Sequence, residues 1–221
     1  MSGLAEAVEF AENPEPRCPC ILLLDISGSM QGAPIAALNE GLRAFKNDLI
    51  QDTLASRRVE VAVVTFNNEA NVAEDFTTAE FFEPPNLQAG GQTFMGSGIN
   101  KALDLLQARK AQYRANGIAY YRPWVFLITD GESQGEPREQ IERAAQRIRE
   151  DEAAKRVAFF GVGVEGANIE ALSSVTVRPP MKLIGLNFRE MFVWLSASMQ
   201  RVSQSQVDEQ VALPPPGWGT I

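Results

Sequence analysis

Histidine is absent from this chain of 221 residues. No Ser-His-Asp triad, Cys-His pair or histidine acid–base chemistry can be assembled from it. Cysteine is nearly absent as well: Cys18 and Cys20 are the only two, with Pro19 between them. At that spacing an unstrained disulfide is hard to close, and the pair reads as reduced thiols at the mouth of a strand. Without histidine or a third cysteine, a self-contained structural zinc site lacks its ligands. No apolar run approaches the length of a membrane span. Residues 1–17 are acidic and hold no signal-peptide core, so the expected location is cytoplasmic. Positive charge is in deficit, with 20 Lys+Arg against 28 Asp+Glu and a net charge of −8. Such a balance argues against nucleic acid or an anionic membrane as the main partner. The densest basic stretch, 138–156, interleaves Arg138, Arg143, Arg147, Arg149, Lys155 and Arg156 with as many as five acids, which is the pattern of a solvated helix face.

What is present is an ordinary globular composition, 45% hydrophobic and 22% charged, in a length that suits one domain. Three units are expected: a flexible or edge-lying lead-in over 1–17, a domain over 18–205, and an extended proline-rich tail over 206–221. Cys20 to Leu24 is apolar throughout, as a strand covered on both faces must be. Pro34 suits a first helical turn, and Ile35, Leu38, Leu42, Phe45 and Leu49 then form one stripe. Arg57-Arg58 reads as a turn before a β-branched strand from Val59 to Phe66. Asn71 to Phe76, more polar, reads as an edge strand. Residues 77–94 form a long loop, of the kind that is usually functional. A helix follows from Gly96 to Lys110, then a second apolar strand from Trp124 to Thr129. Ser133-Gln134-Gly135-Glu136 fits a capping box for a helix through Ile141, Ala145 and Ile148. Val157–Val164 reads as a strand, Ile169–Ser173 as a short helix, Met181–Ile184 as a last short strand, and Phe188–Val202 as the C-terminal helix. Leu213 and Trp218 are the residues that would dock the tail if it is not loose.

Strands alternating with helices define an α/β class: a three-layer α/β/α sandwich with a mostly parallel central sheet and one antiparallel edge strand. Ligands of such folds sit beyond the C-terminal ends of the strands. Two predicted strands end there in aspartates, Asp25 and Asp130. After the first, Asp25-Ile26-Ser27-Gly28-Ser29 delivers two hydroxyls at alternate positions around a glycine. Thr93 follows a Gly-Gly pair just ahead of a helix and can bring a third hydroxyl to the same crevice. Each piece has a plainer role, as a capped turn, a strand exit or a helix cap. Together they form an oxygen-only set suited to Mg²⁺, Mn²⁺ or Ca²⁺, and with two acids the ion keeps positive charge for an external carboxylate.

These residues make the chain resemble the von Willebrand factor type A (VWA) domain. That family's metal-ion-dependent adhesion site (MIDAS) uses an Asp-x-Ser-x-Ser segment, a loop threonine and a second strand-end aspartate. The resemblance implies a Rossmann-like VWA fold and a metal on Asp25, Ser27, Ser29, Thr93 and Asp130. Mg²⁺ is the first expectation, with a partner protein's Glu or Asp completing the shell. The runs from Leu22 to Ile35 and from Trp124 to Gly131 are similar to a stand-alone bacterial branch, the tellurium-resistance-associated TerY and YegL-like proteins. That similarity implies a stress-response or defence setting. A non-enzymatic protein-binding module is the leading expectation. The competing ones are a metal-dependent phosphoester hydrolase and a structural subunit with a stabilising metal. The loops Met30–Ala33, Phe94–Met95 and Glu132–Gly135 would form the rim, with Met30, Phe94 and Met95 as its apolar candidates unless they simply pack inward.

Overall fold

A computed structural model describes residues 8–164 and 166–220. The first strand, β1 (Cys18–Asp25), is buried at all eight positions. It lies between β2 (Val59–Phe66) and β4 (Trp124–Thr129), parallel to both. A strand in that position meets no solvent on either face, which is why its sequence is uninterrupted apolar up to the aspartate. The seven-stranded sheet is completed by β3 (Ala70–Thr78), β5 (Ala158–Gly163), β6 (Met181–Leu183) and β7 (Gly219–Thr220), in the order β3-β2-β1-β4-β5-β6-β7. β1, β2, β4, β5 and β6 run parallel, whereas β3 pairs antiparallel with β2.

Two faces of one sheet make two cores, because successive side chains alternate. Leu22 and Leu24 pack with Leu38, Leu42 and Phe45 of α1 (Ala33–Leu49). On the same face lie Phe188, Phe192 and Met199 of α6 (Phe188–Gln204). Ile21 and Leu23 pack on the other face. Their partners there include Ile99, Leu103 and Leu106 of α3 (Met95–Ala115) and Ala144 and Ile148 of α4 (Arg138–Ala153). A short α5 (Ile169–Val175) adds Leu172 and Val175 to that face. Cys18 and Cys20 are free, fully buried and on the face that packs against α1. Burial pushes the Cys18 thiol up to about 12 and moves Cys20 in the same direction.

Four expectations are corrected. Arg57 and Arg58 are not turn residues but close a short helix, α2 (Thr53–Arg58), started by Asp52, whose carboxylate accepts from the N–H groups of Leu54 and Ala55. The strand read as Asn71–Phe76 extends to Thr78, so the long loop is 79–94. The sheet has two antiparallel edges and not one. The strand at Met181 is not the last, because the tail returns to place β7 antiparallel to β6. Trp218, only 2% exposed, is what docks it. Trp194 of α6 donates from its indole Nε1 to the Pro214 carbonyl at 2.8 Å and meets the Trp218 ring edge-on at 5.6 Å. Leu213 and Trp218 were expected to dock the tail, and both pack on the core; only the short strand that follows them was not expected.

Of the lead-in expected over 1–17, residues 1–7 lie outside the described residues; residues 8–12 are helical, and Phe10 and Arg17 are buried. Arg17 belongs to an ion cluster at the N-terminal end of the sheet. Glu60, the second residue of β2, is wholly buried there. It accepts from Arg17 Nε at 2.8 Å, from Arg109 Nε at 2.9 Å and Nη2 at 2.8 Å, and from the Tyr113 hydroxyl. Glu9 takes a further Arg109 N–H at 2.5 Å, and the Phe10 ring lies under both guanidiniums at 4.9 and 5.3 Å.

Candidate metal centre

Asp25 is the last residue of β1 and is itself fully buried. Its Oδ1 accepts from the Ser27 N–H at 2.8 Å, and its Oδ2 accepts from the Thr129 hydroxyl at 2.6 Å. These two bonds fix the carboxylate against the end of β4, the strand that Asp130 follows. Beyond Asp25 the backbone tightens into one 3₁₀ turn, Gly28–Met30. That turn brings the Ser27 and Ser29 hydroxyls to 3.1 Å, and Ser29 donates to Asp130 Oδ1 at 2.8 Å. Four of the five expected donors are therefore linked edge to edge.

Thr93 reaches the same place on the long loop. Gly91 turns the chain at φ +89°, and a Cβ there would lie 2.0 Å from Asn68 Oδ1, so no other residue fits without movement. The loop is latched to the chain after β1, with Gly90 N–H donating to Ile26 O at 2.8 Å and Gly28 N–H donating to Gly91 O at 2.9 Å. On its other side Thr93 pairs with Gln134, with N–H to carbonyl bonds of 3.3 and 2.9 Å in the two directions. Ser27, Ser29, Thr93 and Asp130 thus line one cavity of about 400 Å³, together with Gln92, Glu132 and Asn168 among others. Asp25 lies beneath it.

Among the described residues no Lys or Arg lines this cavity. Burial pushes the Asp25 carboxyl above its ordinary range; hydrogen bonds from Ser27 and Thr129 oppose that, and the Asp130 charge adds to it. The negative charge is thus left without a protein cation. Among the described residues no three carboxylates or thiols stand close enough to hold a metal. Here two carboxylates are supplemented by three hydroxyls, an all-oxygen set of the hardness that a divalent ion of the Mg²⁺, Mn²⁺ or Ca²⁺ kind requires. The residues present fit such an ion.

At the rim, two of the three apolar candidates take the inward alternative. Met30 and Met95 point into the two cores and are 0% and 2% exposed, so they offer nothing to a partner. Phe94 is half-buried at the rim. The capping box is corrected too: Glu136 caps not the helix that follows it but α3, forty residues upstream. Its carboxylate accepts from Gly96 N–H at 2.6 Å and Ser97 N–H at 3.0 Å. Thr129, which orients Asp25, was read only as a strand residue; the hydroxyl next to the second aspartate was the available signal.

A three-layer α/β/α domain with an oxygen-only crevice at the C-terminal edge of its parallel strands is the class that fold and site define. The family model of the von Willebrand factor type A domain matches residues 20–191, and the chain belongs to that family. Its structure is similar to a von Willebrand factor type A protein from Catenulispora acidiphila, at TM-score 0.65 and 18% identity over 85% of this chain and 43% of the other. It is also similar to the pilus adhesin SpaC from Lactobacillus rhamnosus GG, at TM-score 0.65 and 11% identity over 85% and 31%. A third is proximal thread matrix protein 1 from the mussel byssus, in a form with a zinc-occupied MIDAS motif, at TM-score 0.55 and 18% identity over 84% and 48%. The chain spans less than half the length of each. No curated protein matches it. Among the described residues no helix is long and apolar enough to cross a membrane.

Proposed function

We infer that this chain is a metal-dependent protein-binding module and not an enzyme. Asp25, Ser27, Ser29, Thr93 and Asp130 hold a divalent cation, Mg²⁺ in the first instance, and a Glu or Asp of the partner protein completes its shell. One observation carries the reading: the Asp130 carboxylate and three hydroxyls line one open cavity over the buried Asp25 carboxylate, and among the described residues no lysine or arginine lines it. A bound ion would supply the positive charge that the protein withholds, and would keep part of it for an external carboxylate. The chain's own residues bind and orient. Thr129 and the Ser27 N–H hold Asp25, and Gln134 holds Thr93. The zinc-occupied MIDAS motif of the mussel protein supports a divalent ion at the corresponding place. Similarity of the β1 and β4 segments to the TerY and YegL-like branch supports a cytoplasmic setting in a bacterial stress-response or defence complex.

The test is capture of partners from the native lysate by the immobilised chain, in Mg²⁺ and in excess EDTA, beside Asp25→Ala. A partner retained in Mg²⁺ by the wild type, and lost with EDTA and with Asp25→Ala, is the expected result. Equal retention under all three conditions would overturn the reading, as would Asp25-dependent hydrolysis of generic phosphoesters by purified protein.

A further inference from the structure

Neither the ligand set nor the partner accounts for Glu136. Its half-buried carboxylate accepts four hydrogen bonds at the C-terminal end of the sheet. Oε1 accepts the Gly96 N–H at 2.6 Å and the Ser133 hydroxyl; Oε2 accepts the Ser97 N–H at 3.0 Å and the Ser97 hydroxyl at 2.9 Å. Ser133 also donates to the Thr93 carbonyl at 3.2 Å. Thr93 stands two residues before α3, and Glu136 ends the loop that begins at Asp130. One carboxylate thus joins the segment carrying Thr93 to the segment carrying Asp130. Backbone packing tightens the same joint: a Cβ on Gly96 would come within 2.6 Å of the Ile141 nitrogen.

We propose that Glu136 is a positioning residue for the metal site, holding the Thr93 and Asp130 loops at the separation a divalent cation needs. The proposal rests on the metal-binding reading above. Two physical effects act together. Geometry is the first, since five oxygens converge only if the two loops keep their spacing. Charge is the second. The N-terminus of a 21-residue helix carries partial positive charge that would otherwise face the cation, and Glu136 offsets it.

The experiment is Mn²⁺ titration of the purified chain, followed by calorimetry and by the Mn²⁺ resonance spectrum, with Mg²⁺ competition. Glu136→Ala is expected to weaken Mn²⁺ binding by roughly 10- to 100-fold, the range for residues that support metal ligands. Glu136→Gln keeps the shape and loses the charge and one acceptor, so it should fall between wild type and alanine, and it decides the matter if alanine does not fold. In a Thr93→Ala background the Glu136 effect should shrink, because one of the two ligands it positions is gone while Asp130 and the charge remain. Wild-type affinity in both Glu136 variants overturns the proposal, as does a Glu136 effect of full size in the Thr93→Ala background. A wild type that takes up no Mn²⁺ overturns the metal reading itself, which separates the two failures.

Discussion

At the N-terminal end of the sheet Glu60 meets two guanidiniums and a phenol. At the C-terminal end Asp25 meets a backbone N–H, a hydroxyl and the charge of Asp130. Both carboxylates are fully buried, and both sit on strands of the same parallel set. The first is paired within the chain and the second is not. An unpaired buried charge is expensive unless something outside the fold supplies its counterpart. The difference therefore marks which pole is built for stability and which for a ligand. Among the described residues no arginine lines the metal cavity, whereas two pair with the buried acid at the opposite pole.

The same chemical change, carboxylate to amide, should act with opposite sign at the two poles. Glu60→Gln leaves the buried Arg17 with carbonyl acceptors but no counter-charge and weakens the hold on Arg109, so chemical denaturation should show a loss of about 3–5 kcal/mol with or without metal. A loss under 1 kcal/mol would mean that the cluster is solvated in solution and that the contrast fails. Asp25→Asn should instead stabilise the metal-free protein at neutral pH, on the order of 1 kcal/mol, by removing the cost of a buried ionised carboxylate and, to a lesser degree, the repulsion from Asp130. The sign follows from its raised carboxyl: the folded state resists the ionised form, so its stability falls as pH rises through that range. Saturating Mg²⁺ should reverse the order, since wild type gains about 2.7 kcal/mol at a hundredfold excess over Kd and Asp25→Asn gains nothing. Thermal melts with Mg²⁺ and with EDTA check both halves. Ser29→Ala is the smallest case. Ser29 is exposed and its bond is to Asp130, so metal-free stability should stay within about 0.5 kcal/mol while the Mg²⁺-dependent shift shrinks.

Legibility in the sequence followed how far apart the interacting residues lie. β1, β2 and β4 were readable because burial on both faces leaves an apolar run, and the sheet rule then aligned Asp25 with Asp130. Thr93 was readable from local chemistry, two glycines and a helix start. The Glu60 cluster was not, because its partners stand 43 and 49 residues away and nothing local distinguishes a buried Glu from an exposed one. Ser133 and Glu136 carried a genuine capping signature whose target was misread, since a carboxylate that can cap its own helix can equally cap a neighbour's. The second antiparallel edge was half legible: Leu213 and Trp218 marked a docked tail, but two residues of strand leave no pattern to read.

The sealed thiols of β1 have a practical consequence. With Cys18 raised to about 12 by burial, and Cys20 sealed beside it, neither presents a thiolate to reagent in the folded state. A cysteine introduced at the exposed Gln134 would be the one reactive handle on the native molecule. A fluorophore there would report from the mouth of the cavity without any need to strip the native cysteines from the core.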